Sequence, residues 1–150
     1  LDIAVEAARS SSEALAGADV VCTATTSAVP VFSDGDLAPG AHINAIGSYK
    51  PGVREIPGET VRRARVVVDH RPAALAEAGD LLIPIEQGLI GREHIYAELG
   101  EIIAGTKPGR EARGQITFFK SVGVAVQDLA AACRVLQNAQ RRGLGVELSL

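Results

Sequence analysis

Apolar positions along the chain fall in short clusters between turn residues, and their period switches repeatedly between two and about 3.6. In Leu1–Ala7 (LDIAVEA), Ile3 and Val5 alternate with charged residues, which predicts a short strand with one covered face. Ser10, Ser11 and Ser12 offer N-caps to a helix over Glu13–Ala16 that Gly17 ends. Ala18–Thr26 (ADVVCTATT) has a contiguous apolar stretch, the mark of a parallel strand buried on both faces. His42–Ile46 alternates polar and apolar residues and stops at Gly47, with Pro51 and Gly52 fixing the turn beyond. A short helix over Thr60–Ala64, a strand over Arg65–Asp69 and a helix over Arg71–Ala78 closed by Gly79 follow.

Residues 79 to 114 read as less regular. Leu81, Leu82, Ile83 and Ile85 cluster around Pro84, and His94–Ile103 sets apolar residues at helical spacings. Ile116–Gly123 then changes from strand to helix period. Val122, Val126, Leu129, Cys133 and Leu136 carry one apolar face of a long helix to about Arg141, and Gly143 ends it. The tail, Val146–Leu150, alternates like a strand without a partner. Strand and helix signals alternating at this spacing predict an α/β fold with a doubly wound parallel sheet.

Composition narrows the function classes. The 150 residues include 47% hydrophobic and only 3% aromatic side chains, so the core is expected to consist of Ala, Val, Leu and Ile. A net charge of −3 without a basic cluster argues against nucleic acid as a partner. Arg62, Arg63 and Arg65 read as a solvated helix end. No apolar run approaches the ~20 residues that span a bilayer, and no export signal opens the chain, so a soluble, cytoplasmic protein is expected. Cys22 and Cys133 sit in apolar stretches and read as buried, reduced thiols. His42, His70 and His94 lack partners at metal-ligand spacing, so no metal site is expected.

Candidate chemistry gathers after the His42–Ile46 strand. Ligands of open α/β sheets collect at the carboxyl ends of strands, which places Ser48, Tyr49, Lys50, Arg54 and Glu55 where a substrate or cofactor would sit. Thr23, Thr25, Thr26 and Ser27 suit a ribose or pyrophosphate edge, or simply close a turn. Asp69 reads as a cofactor contact or, better, as a cap for the Arg71 helix; Glu98 and Glu101 read as a solvated face; Asp128 bonds across to a domain neighbour or simply favours the start of its helix.

ADVVCTATTS, AHINAIGSYKPGVREIP, VVVDH, AELGEIIAG and TFFKSVGVAVQDLAAA, in that order, resemble the ornithine cyclodeaminase and mu-crystallin family over most of residues 17 to 138. The resemblance implies a Rossmann-like sheet that binds NAD or NADP, a second domain that supplies most substrate contacts, and a homodimer. It implies that Thr23, Ala24, Thr25 and Thr26 pass under the dinucleotide and that Ile46 and Gly47 flank the nicotinamide. Lys120, Ser121 and Val122 would return over the ring, with Val122 near the substrate. By residue type alone, Lys120 reads as a solvated helix start, and Ile46 and Val122 read as core.

Two departures shape the expectation. Tyr49 stands where ornithine cyclodeaminases carry an Asp, so Tyr49 and Lys50 become candidate proton donors and substrate contacts for reducing an imine or oxo acid. The family's Gly-rich turn has no counterpart, which makes the sheet incomplete at its N-terminus. Residues 1–115 are then the C-terminal part of the nucleotide domain, and 116–150 a closing segment, long helix and tail packing on another domain. The parent protein is expected to be a ketimine reductase or amino-acid dehydrogenase acting on a small amino acid or cyclic imine. The alternatives are an ornithine cyclodeaminase proper, a non-catalytic NADPH or small-ligand binding protein, and an inactive fragment. The chain alone is expected to catalyse nothing.

Overall fold

The computed structural model describes residues 3–146 and 148. Strands β1 (Val20–Thr23), β2 (His42–Ala45), β3 (Arg65–Val68), β4 (Ile95–Glu98) and β5 (Thr117–Lys120) form one sheet in the order β1-β2-β5-β3-β4. Every neighbouring pair is parallel, as the alternation of strand and helix signals predicts. The crossover from β2 to β3 leaves a gap one strand wide, and β5 returns to fill it. The last strand in sequence is therefore the middle strand in space, and a boundary at residue 115 would sever it from its sheet.

The register sets two rows of side chains on the core face. Val21, Ile43, Phe118 and Val66 form one row, and Thr23, Ala45, Lys120 and Val68 form the next. Helices α1 (Ser11–Leu15), α2 (Gly58–Arg63), α3 (Arg71–Glu77) and α4 (Gly79–Glu86) contribute Leu15, Val61, Ala74 and Leu81 to the same core. Ser10 caps α1 by accepting a hydrogen bond from Glu13 N at 3.1 Å, as the serine run predicts. Helix α5 (Leu99–Ile103) flanks the opposite face, where His42, Asn44, Val67 and Phe119 line an open hollow of about 460 Å³ together with Leu99 and Ile102. Helix α6 (Ala125–Arg142) leaves the sheet and ends at Gly143, whose left-handed φ of +62° suits a residue without Cβ.

Several expectations are corrected. Residues 3 to 8 form no strand: Ile3 and Val5 alternate, yet among the described residues no strand pairs with them, and both are exposed. β1 is shorter than Ala18–Thr26 and buried on one face only, with Val20 and Cys22 facing outward and exposed. Cys133 is exposed as well, on α6, so neither cysteine is a core thiol. The stretch around Pro84 is a regular helix, α4, and Gly79 opens it rather than merely closing α3. His94–Ile103 is a strand and then a helix, since Ile95 and Ala97 enter the core with period two before five helical residues begin. Val122 precedes α6 instead of opening it. The apolar face of α6 is real but uncovered, with Val126, Leu129 and Leu136 exposed. The tail predicted over Val146–Leu150 lies largely outside the described residues.

Phe118 is fully buried at the middle of the central strand. Phe118→Ala is expected to cost about 3–5 kcal/mol in urea unfolding, and Val126→Ala within about 0.5 kcal/mol. A loss below about 1 kcal/mol at Phe118 would contradict its central position.

Candidate functional site

The adjacency β1-β2-β5 brings three predicted segments side by side at the carboxyl edge. Thr23 pairs with Ala45 and Ala45 with Lys120, so Thr23–Thr26, Ile46–Gly47 and Lys120–Val122 leave the sheet together. Between the first two lies a hollow of about 160 Å³ lined by Thr25, Thr26, Ser27, Gly47, Tyr49, Lys50 and Val53. Tyr49 and Lys50 are exposed at its mouth, with Lys50 Nζ 5.5 Å from the Tyr49 ring centre. Ala24 and Ile46 are exposed beside them.

The loops hold this shape because of one buried acid. Glu55 has no exposed surface, and its Oε1 accepts Thr25 N–H at 2.6 Å. Its Oε2 accepts Gly47 N–H at 2.9 Å, Ser48 N–H at 3.2 Å and the Thr23 hydroxyl at 3.1 Å. The turn comes so close that a Cβ on Gly47 would sit 2.6 Å from Glu55 Oε1 and against the Thr25 backbone, so only glycine fits. The loop's own backbone is fastened in turn by Asp80, whose Oδ1 accepts Glu55 N–H at 2.7 Å and Ile56 N–H at 3.0 Å. Asp80 Oδ2 lies 3.0 Å from Lys120 Nζ, and both side chains are fully buried. That contact is an ion pair without hydrogen-bond alignment.

The predicted residues thus divide. Thr25, Thr26, Gly47, Tyr49 and Lys50 share one hollow, with Ala24 and Ile46 at its rim. Thr23 spends its hydroxyl on Glu55, and the Lys120 ammonium points into the core, neither solvated nor directed to a ligand. Ser48 and Glu55, expected among the ligand-facing groups, turn inward; Ser48 donates to the Val53 carbonyl at 2.7 Å. Arg54 donates to Gln87 at 3.2 Å. Ser121 and Val122 follow β5, held from β3 by Asp69, which accepts the Ser121 hydroxyl at 2.8 Å and Val122 N–H at 2.9 Å.

Asp69 therefore does not cap α3: Glu98 takes the Arg71 N–H at 2.7 Å instead. Glu101 in turn accepts Glu98 N–H at 2.8 Å, so the two glutamates serve helix starts rather than a solvated face. Two of the predicted histidines have structural partners, with His42 Nδ1 2.7 Å from Thr117 Oγ1 and His94 Nε2 2.8 Å from the Val61 carbonyl, while His70 is exposed. The organising roles of Glu55, Asp80 and Asp69 escape sequence reading, because their partners are mostly backbone amides remote in the chain.

The Ornithine cyclodeaminase/mu-crystallin family model matches residues 1–143. The chain is 45% identical over 137 residues to a Delta(1)-pyrroline-2-carboxylate reductase of Bacillus cereus, covering 91% of this chain and 42% of that protein. It is 47% identical over 120 residues to the ketimine reductase mu-crystallin of Mus musculus, covering 80% of this chain and 36% of that protein. Among solved structures, the Thermococcus litoralis Delta(1)-pyrroline-2-carboxylate reductase in complex with NADH and L-proline superposes with a TM-score of 0.89 at 41% identity, covering 94% of this chain and 44% of that one. The chain spans less than half the length of the curated relatives it matches.

Burial pushes the Glu55 carboxyl up, but hydrogen bonds from Thr25, Thr23 and Gly47 outweigh it and hold the group below the ordinary Glu value. The unfolded chain therefore protonates more readily. Glu55's contribution to stability is whole above the unfolded value of 4.5 and is lost as pH falls from there through the folded one. Glu55→Gln sets an amide donor against backbone donors and is expected to cost about 1–3 kcal/mol at neutral pH. Denaturant titrations should show the gap to wild type narrowing below pH 4.5; a constant gap would contradict the assignment.

Proposed function

The chain belongs to the ornithine cyclodeaminase/mu-crystallin family, and from that premise we propose that it forms the C-terminal part of the nucleotide-binding half of an NAD(P)H-dependent reductase of cyclic imines derived from amino acids. One observation carries the choice of reaction. The hollow offers two proton donors, the Tyr49 hydroxyl and the Lys50 ammonium, and among its lining residues there is no carboxylate. The carboxylate nearest in sequence, Glu55, has both oxygens committed to donors inside the fold. Deamination assisted by a loop acid lacks its acid here, whereas imine reduction requires a donor to the nitrogen.

The residues fit a dinucleotide's nicotinamide end. Ala24, Thr26 and Gly47 are small, which permits close approach of a flat ring and its ribose, and exposed Ile46 offers an apolar surface. The reduced nicotinamide, when bound, supplies a hydride. The chain's part is to shape the hollow, to present Tyr49 or Lys50 to the imine nitrogen, and to close the site from the β5 side with Ser121 and Val122. Reductase activity in the Bacillus, Thermococcus and mouse relatives supports this reading. A homodimer with a separate substrate domain, joined through the exposed face of α6, completes the proposal.

The test uses the full-length protein with NADH and NADPH, offered Δ1-pyrroline-2-carboxylate, pyruvate with ammonia, or ornithine. Turnover of the cyclic imine is expected. Release of ammonia from ornithine alone would overturn the reading, and saturable nucleotide binding without turnover would make the protein a binder. Of Tyr49→Phe and Lys50→Ala, one is expected to lower kcat by about 10²-fold or more, the scale of a lost general acid. Losses below about threefold in both would refute their role.

A further inference from the structure

We propose that Asp69 is a positioning residue: its carboxylate fixes the Ser121–Gly123 segment at the carboxyl end of β5, next to the end of β2 that carries Gly47, and governs turnover through that segment without touching substrate. This inference rests on the reductase reading. Asp69 stands one residue past β3, and its Oδ2 alone accepts the Ser121 hydroxyl at 2.8 Å, Val122 N–H at 2.9 Å and Gly123 N–H at 2.8 Å. Its Oδ1 accepts His70 N–H at 2.8 Å.

The placement marks a handover. Ladder bonding extends to Ser121, whose N–H donates to the Ala45 carbonyl at 3.2 Å. Beyond that residue the sheet offers the chain nothing. The next two amides, Val122 and Gly123, bond to the Asp69 carboxylate, with one further bond from Gly123 N–H to Ser121 Oγ at 3.2 Å. The chain then departs as α6. Asp69 is not needed to cap α3, whose first N–H, that of Arg71, donates to Glu98. The Ser121 hydroxyl, its proton committed to Asp69, meets an approaching ligand as an acceptor.

Removing the carboxylate should therefore loosen the segment more than the fold. The segment lies past the carboxyl end of the central strand and is partly exposed, where water can replace the lost acceptor, so the core keeps its packing. Loss of geometry beside a reacting group is costly, because a displacement near 1 Å can lower a rate by about 10²-fold. Asp69→Asn keeps one oxygen for the three donors of the segment, turns its amide toward the His70 N–H, and is the conservative rescue of the segment alone.

The experiment compares wild type, Asp69→Ala and Asp69→Asn in the full-length protein, well below each melting temperature. Asp69→Ala is expected to lower kcat by about 10²-fold with KM for the imine changed less than about threefold, and Asp69→Asn to recover most of the rate. A purely structural Asp69 would lower the melting temperature and leave kcat unchanged; that result overturns the inference. Wild type without turnover of any imine would instead sink the reductase reading. The inference is then read from NADH titration, expected weaker in Asp69→Ala and restored in Asp69→Asn, with equal affinity in all three overturning it.

Discussion

A buried carboxylate survives only where donors replace its water, and Glu55 meets that condition by collecting three backbone amides and a hydroxyl from two different loops. Its need for partners draws the ends of β1 and β2 together. Asp80 extends the arrangement by holding the Glu55 backbone and standing 3.0 Å from the Lys120 ammonium at the end of β5. Two acids thus tie three adjacent strand ends into one rigid edge. Lys120 lies in a row otherwise made of Thr23, Ala45 and Val68, so without Asp80 it would be an unpaired charge in the core. Such a pair adds little net stability, but removing one member is expensive, and that asymmetry enforces the geometry.

The edge serves the chemistry by being settled before a ligand arrives. The hollow beside Tyr49 and Lys50 is walled by Thr25 and Gly47, whose amides Glu55 holds. On the far side of β2, Asp69 does the same for the segment after β5. Acids that resemble catalytic groups in sequence act here as scaffolding, which leaves the exposed hydroxyl and ammonium as the reactive candidates. Preorganisation of this kind spares a reaction the cost of ordering its surroundings.

Much of the fold was legible from local signals. The Ser10 cap, the end of β2 two residues before Gly47, the strand at Arg65 and the termination of α6 at Gly143 each depend on residues a few positions apart. What escaped depends on distant partners. Ile95–Glu98 looked helical because α5 follows at once and only tertiary pairing with β3 reveals the strand. Cys22 looked buried because a strand's two faces cannot be distinguished until its neighbours are known. The candidate hollow was legible as a loop after a strand, yet the division between Tyr49, which faces out, and Glu55, which faces in, was not. Glu55 is chosen by amides that lie 30 and 8 residues away, and no local pattern encodes them.

The most direct test of this account is amide hydrogen exchange at Thr25, Gly47 and Ser48 without any ligand. If Glu55 locks the edge, these loop amides exchange only through global unfolding, as slowly as Ile43 and Phe118 in the central strands. Fast exchange at the three positions, with the strand amides still protected, would show that the loops open freely and that the buried carboxylate does not organise the site.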